Sequence, residues 1–258
     1  MLEFILIPLI ALLASALTLF SGFGLGTLLL PVFAIFFPLD LAVAMTAVVH
    51  LLNNLFKLLL LGKHADRTIV LRFGIPAIFS ALAGALLLVW ITDFSPLYSY
   101  ELLGRLHHIT PVKLIVSTLM IVFGILEVAP RFDNLTFDRK YLPAGGIISG
   151  FFGGLSGHQG ALRAAFLARA GLTKESFIAT GVVIACMIDL TRLSVYARHL
   201  SVSGMRENTL LIVIVTASAF VGAFAGTRLL KKITFRTIRI VIAILLFVLA
   251  AFLGAGLI

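Results

Sequence analysis

Apolar residues run along this chain in long blocks, and polar residues are confined to short intervals between them. The blocks fall at 2–21, 26–37, 39–62, 70–92, 112–128, 142–155, 160–171, 176–197, 208–230 and 236–257. Most approach the ~20 residues that an α-helix needs to cross a bilayer. Blocks 26–37 and 160–171 have only twelve residues each and predict half-helices or re-entrant segments. Breakers mark the boundaries: Pro38, Gly62, Ser95, Pro96, Pro111, Pro130 and Pro143 lie between blocks or at their edges. The most polar stretch, 131–140, is a linker between two membrane units, 1–130 and 141–258. The predicted fold class is all-α, a polytopic membrane protein.

The two units echo each other. Shifting residues 38–64 forward by 135 places Asp40 on Glu175, Asn54 on Asp189, Lys57 on Arg192 and His64 on His199. With one gap, Gly26 falls on Gly160. Both halves run in the order helix, glycine-rich break, short helix, acidic residue opening a long helix, and polar i, i+3 pair late in that helix. Internal repeats of this kind build many secondary transporters. Suppose each short segment pairs with the helix before it in an even number of crossings. Loops 62–72, 131–140, 172–175 and 228–239 then share one side and hold twelve Lys or Arg, against four (Arg105, Lys113, Arg198, Arg206) near the other side. The positive-inside bias makes the first set cytoplasmic, which predicts two inverted repeats of about five segments each and both termini outside.

Polar chemistry concentrates at one break. Residues 145–163 read GGIISGFFGGLSGHQGALR, with seven glycines among nineteen residues and with Ser156, His158, Gln159 and Arg163 between apolar helices. Freed backbone groups at membrane depth are tolerated only where protein or a water-filled cavity surrounds them. The stretch therefore predicts half of a solute site, and SGFGLGTLLLP at 21–31 the other half. The candidate binding residues are Gly22, Gly24, Gly26, Ser156, Gly157, His158, Gln159, Gly160 and Arg163. Gly24 and Gly160 fall where the short helices begin, and a helix N-terminus offers free N–H groups and a positive dipole end to an anion. The GxxxG pair Gly222 and Gly226 reads as helix packing, while the glycine density of 145–160 predicts more than packing. Asp189 and Arg192, at i, i+3, predict an ion pair that locks helices or gates transport; Asn54 and Lys57 occupy the matching place. Lys57, five residues from Gly62, could equally snorkel to the membrane edge.

Composition narrows the classes. The chain is 61% hydrophobic and 12% charged, with a mean hydropathy of +1.16, too little polar surface for a soluble globule. Its net charge of +9 comes from basic residues in short loops and shows no basic, aromatic-interleaved face, so nucleic acid is not an expected partner. One cysteine, Cys186, rules out an internal disulfide framework. The first block lacks a basic leader and a clear cleavage site, and is expected to be a retained helix. His50 stands mid-span with no metal partner at i+4, and His107 and His108 are adjacent in a loop. No metal site, cofactor or catalytic residue is predicted, and no HExxH, GxSxG or P-loop is present.

At these residues the chain resembles the TauE/SafE family of sulfite and organosulfonate exporters. SGFGLGTLLLP resembles the family's glycine-rich break followed by proline, and the second half repeats it. Where the family often has a second glycine run with proline, this chain has SGHQGALRAAF, and it resembles a subgroup in which GALR and FIATGVVIACMIDLTRLSVY stand together. The resemblance implies a carrier of small sulfur-containing or carboxylate-like anions, driven by an ion gradient with proton or sodium as the coupling ion. The expected setting is a bacterial inner membrane, multi-pass, with a homo-oligomer left open. The rivals are an anion channel, a metal-dependent membrane enzyme using the histidines, and a non-transporting assembly protein.

Reporter fusions test the charge tally: a C-terminal fusion should report a non-cytoplasmic side, and one within 131–140 the cytoplasm. A cytoplasmic C-terminus would mean that one short segment crosses fully.

Overall fold

With no water in a bilayer core, the backbone of an apolar block can bond only to itself, and the blocks fold as helices. The structure, a computed structural model, describes residues 1–21, 25–129, 136–199, 202–229 and 235–258. It is 81% helical. In order the helices are α1 (Glu3–Ser21), α2 (Leu25–Phe36), α3 (Leu39–Leu61), α4 (Arg67–Thr92), α5 (Pro111–Val128), α6 (Leu142–Ser156), α7 (Gly160–Leu167), α8 (Lys174–His199), α9 (Val202–Glu207), α10 (Thr209–Leu229) and α11 (Phe235–Gly254). Among the described residues, four helical stretches are long and apolar enough to cross a membrane: Leu39–Leu59, Arg67–Thr92, Lys174–His199 and Thr209–Gly226. Shorter apolar helices accompany them, including Leu25–Phe36.

The ends follow local chemistry. Asp66 caps α4 by accepting from the Ile69 amide at 2.9 Å, so α4 begins at Arg67, three residues before the apolar block. Thr110 caps α5 in front of Pro111, whose fixed φ suits the first helical position. Gly157 ends α6 in the left-handed region at φ 79°, a conformation glycine adopts at little cost. α7 stops at Leu167 after eight residues, well short of the expected 171. On α4, Ile75, Phe79, Leu82, Leu86 and Trp90 form an exposed apolar stripe at helical spacing, a face suited to lipid.

One interval expected as a loop carries regular structure. The stretch around His107 and His108 is a β-hairpin, β1 (Tyr98–Leu102) paired antiparallel with β2 (Arg105–Ile109). Its two-residue turn, Leu103 and Gly104, has positive φ at both positions, the geometry that matches strand twist. Ser99 Oγ lies 2.7 Å from His108 Nδ1, and Tyr100 donates to Ala255 O near the end of α11 at 2.6 Å.

Helix pairs from opposite halves hold the bundle together. α6 packs on α4, α1 on α10, α5 on α11, and α3 on α8. Glycines set the first two contacts. A Cβ at Gly146, Gly150 or Gly154 would collide with the carbonyl oxygens of Phe73, Ala77 or Ala81 on α4, and one at Gly222 or Gly226 with those of Leu12 or Ala16 on α1. The Gly222 and Gly226 reading as packing therefore holds. Most of the α6 glycines serve the same purpose, contrary to the expectation that their density exceeds packing; of that stretch, Gly153 and Gly157 are the ones that face Gln159 and Arg192.

Gly154→Val should therefore lower stability in detergent by about 3 kcal/mol, because the obstacle is backbone and cannot rotate away. Gly104→Ala, in open space at φ 73°, should cost only about 1 kcal/mol. Thermal unfolding of the two variants checks the contrast.

Candidate functional site

α3 carries His50, Asn54 and Lys57 at i, i+4, i+7, and α8 carries Asp189, Arg192 and Tyr196 at i, i+3, i+7. Each set lies along one helical face. Because α3 packs against α8, the two polar faces meet inside the protein. All six side chains are buried, and Asp189 is 0% exposed.

Asp189 is the centre. Its Oδ2 lies 2.6 Å from His50 Nδ1 and 3.4 Å from Asn54 Nδ2. Its Oδ1 accepts from Arg192 Nε at 3.0 Å and from Gln159 Nε2 at 3.3 Å, with Arg192 Nη2 at 2.8 Å. Gln159 passes the connection on, its Oε1 accepting from Arg163 Nη1 at 3.0 Å. Ser149 Oγ donates to the Gln159 carbonyl at 3.1 Å and fixes the break. The Tyr196 hydroxyl donates to Gly154 O and ties α8 to α6. Nearby, Ser15 on α1 donates to Asn53 Oδ1 at 3.2 Å.

Charge is unbalanced here. Among the described residues Asp189 is the one buried carboxylate, and Lys57, Arg163 and Arg192 are buried cations. Lys57 and Arg163 lie close enough to feel each other's charge. Neither terminal nitrogen of Arg192 has a well-aligned hydrogen-bond acceptor, although Nη2 is in ion-pair range of Asp189. Nη1 sits 2.8 Å from where a Cβ on Gly157 would be, so the guanidinium lies directly against the break.

The predicted residues divide as follows. Gly22 and Gly24 lie outside the described residues. Gly26, in the first turn of α2, is brought to the second break: a Cβ there would be 3.7 Å from Gly157 O and 3.7 Å from His50 Cδ2. Gln159, Arg163, Asn54, Asp189 and Arg192 join one hydrogen-bonded cluster, and Gly160 opens α7 beside it. Lys57 is buried, not snorkelled. Arg169 is exposed, 3.9 Å from Asp138. Ser156 and His158 stand slightly apart. The Ser156 hydroxyl donates to Phe152 O, so at 3.0 Å it accepts from His158 Nδ1–H. The ring stacks on Phe123 with centroids 5.2 Å apart, and Nε2 has no partner. In that neutral form His158 presents an acceptor, whereas an anion needs a donor.

Sequence reasoning missed His50 as a site residue, because its partner lies 139 positions away. The available signal was its place at i−4 from Asn54, on the same face as Lys57. It also missed Ser149 and Tyr196, which resemble ordinary span residues until their carbonyl acceptors are seen. Among the described residues no group of three or more His, Cys, Asp or Glu is arranged to hold a metal ion. A cavity of about 450 Å³ lies elsewhere, at the α2–α3 turn and the start of α5, lined by residues including Asp40, Thr110 and Lys113. None of the clustered residues lines it.

A family model described as sulfite exporter TauE/SafE matches residues 7–253. The chain belongs to the TauE/SafE family. No curated protein matches it. As a TauE/SafE protein it is a multi-pass membrane protein of a transporter family, and the whole cluster from His50 to Arg192 lies within the matched residues.

Asp189→Asn should destabilise the protein by about 3–5 kcal/mol, since it strands Arg192 without its counter-charge. The double change with Arg192→Gln should recover much of that loss. Thermal unfolding of the four-member cycle measures the coupling, and additive losses would dissolve the pair.

Proposed function

We propose that this TauE/SafE protein is a secondary carrier of small anions, such as sulfite, organosulfonates or related oxyanions and carboxylates, in a bacterial inner membrane. The observation that carries the reading is the excess of buried cations, Lys57, Arg163 and Arg192, over the buried carboxylate Asp189 among the described residues. Unpaired charge in a span is costly and marks a solute path by default. An anion bound there would neutralise Arg163 and Lys57. Arg163 would supply planar, two-point contact. The N-terminus of α7 would add backbone N–H groups.

Inverted repeats, 1–130 and 141–258, are part of this reading. The helix packing supports them, because α1 on α10 and α6 on α4 are the pairs that exchanging the halves would interconvert. Asn54 and Asp189, superposed by the 135-residue shift, touch at 3.4 Å, as residues beside a two-fold axis must. The polar side chains gather in one closed layer, which favours an occluded carrier site over a continuous pore.

Thermal-shift screening of the purified protein against sulfite, sulfate, thiosulfate, sulfonates and small carboxylates should find an anion that raises the melting temperature. Arg163→Lys should weaken that anion by about tenfold or more while leaving the protein folded, since lysine cannot copy the planar contact. If both Arg163→Lys and Arg163→Gln bind and transport like the parent, Arg163 is not part of the site.

A further inference from the structure

A fixed cation cluster explains why an anion binds but not what else moves with it. His50 is the imidazole of the Asp189 cluster, the side-chain type whose ordinary titration lies nearest neutral pH. It sits between the start of α2 and the second break: Nδ1 on Asp189 at 2.6 Å, and Cδ2 3.7 Å from the Cβ position of Gly26, which itself faces Gly157 O. Asp189, paired with Arg192, is an ionised acceptor, so His50 Nδ1 carries a hydrogen. Nε2, with Asn54 Nδ2 at 3.4 Å, is then the position free to gain or lose a proton.

We propose that His50 is the proton-binding residue that couples this carrier, taking up a proton at Nε2 when the anion enters and releasing it when the anion leaves, so that anion and proton move together. The inference rests on the carrier reading above. It follows from the charges that face His50 from each neighbouring element. α8 brings Asp189 and Arg192, α7 brings Arg163, and two turns along His50's own helix lies Lys57. The described residues of α1, α2 and α10 near it bring no titratable side chain. With the site empty, Arg163 and Arg192 outweigh the one carboxylate and disfavour a further positive charge on the imidazole. An anion removes that penalty. Two unit charges ~6 Å apart at an effective dielectric constant of about 20 shift a protonation equilibrium by about a hundredfold. By linkage the proton must favour the anion by the same factor. Sodium fits poorly as the coupled ion, because the one buried carboxylate described already faces Arg192 and His50.

The test is calorimetric titration of the purified, full-length protein with sulfate, thiosulfate and methanesulfonate, none of which titrates near neutral pH. Running each titration in buffers of different protonation enthalpy counts the protons taken up. The expected result is uptake of a sizeable fraction of one proton per anion, with affinity falling by up to about tenfold per pH unit as pH rises through the transition. His50→Gln should bind with no uptake and little pH dependence. Binding without proton uptake in the parent overturns the proposal and leaves the carrier intact. So does uptake that persists unchanged in His50→Gln. If the variant does not fold, histidine-selective nitrogen-15 spectra of the parent decide: a buried imidazole becoming imidazolium on anion addition supports the proposal, and no change overturns it. Absence of binding by all three anions at both acidic and alkaline pH brings down the anion-carrier reading, and the coupling with it.

Discussion

One buried carboxylate organises the interior. Asp189 has two oxygens, and four side chains from α3, the break before α7, and α8 converge on them. A lone carboxylate at 0% exposure would be prohibitively costly, so its neighbours are required by it as much as it is by them. The same convergence fixes the second break. Gln159 cannot hold both Asp189 and Arg163 unless the chain leaves α6 at Gly157 and re-enters a helix at Gly160. The functional geometry and the interruption of the helix are one constraint.

Much of this was legible in the sequence because local rules decide it. Block lengths separated long helices from short ones, and the i, i+3 spacing of Asp189 and Arg192 announced a pair made within one helix. The 135-residue echo aligned Asn54 with Asp189, although that the two touch is seen only in the structure. What was not legible depends on distant partners. His50 shows no local ligand, and only the packing of α3 on α8 supplies one. The glycines of α6 look alike in sequence, yet Gly146, Gly150 and Gly154 meet the backbone of α4 while Gly157 meets Arg192. The hairpin at 98–109 was read as a loop, because its two five-residue strands around Leu103 and Gly104 carry no clean alternation.

The short helices are short for different reasons. α2 runs twelve residues with Pro31 inside it, and Pro38, two residues past its end, separates it from α3. α7 ends after eight residues, and Gly171 then turns the chain at φ 74° into α8. Both bring a helix start toward the same region, where Gly26 and Gly157 approach each other. A long transmembrane helix could not do this, since its termini lie at the membrane surfaces.

The glycine contacts also bear on how the chain is assembled during synthesis. Gly222 fits only against the backbone of Leu12, so α1 lacks its main partner until about 210 more residues have been made. At roughly 5–20 residues per second that is a wait of about ten to forty seconds. α6, by contrast, finds α4 as soon as it is made. α1 is therefore among the last of these helices to be locked, and its apolar face must stay in lipid until α10 arrives.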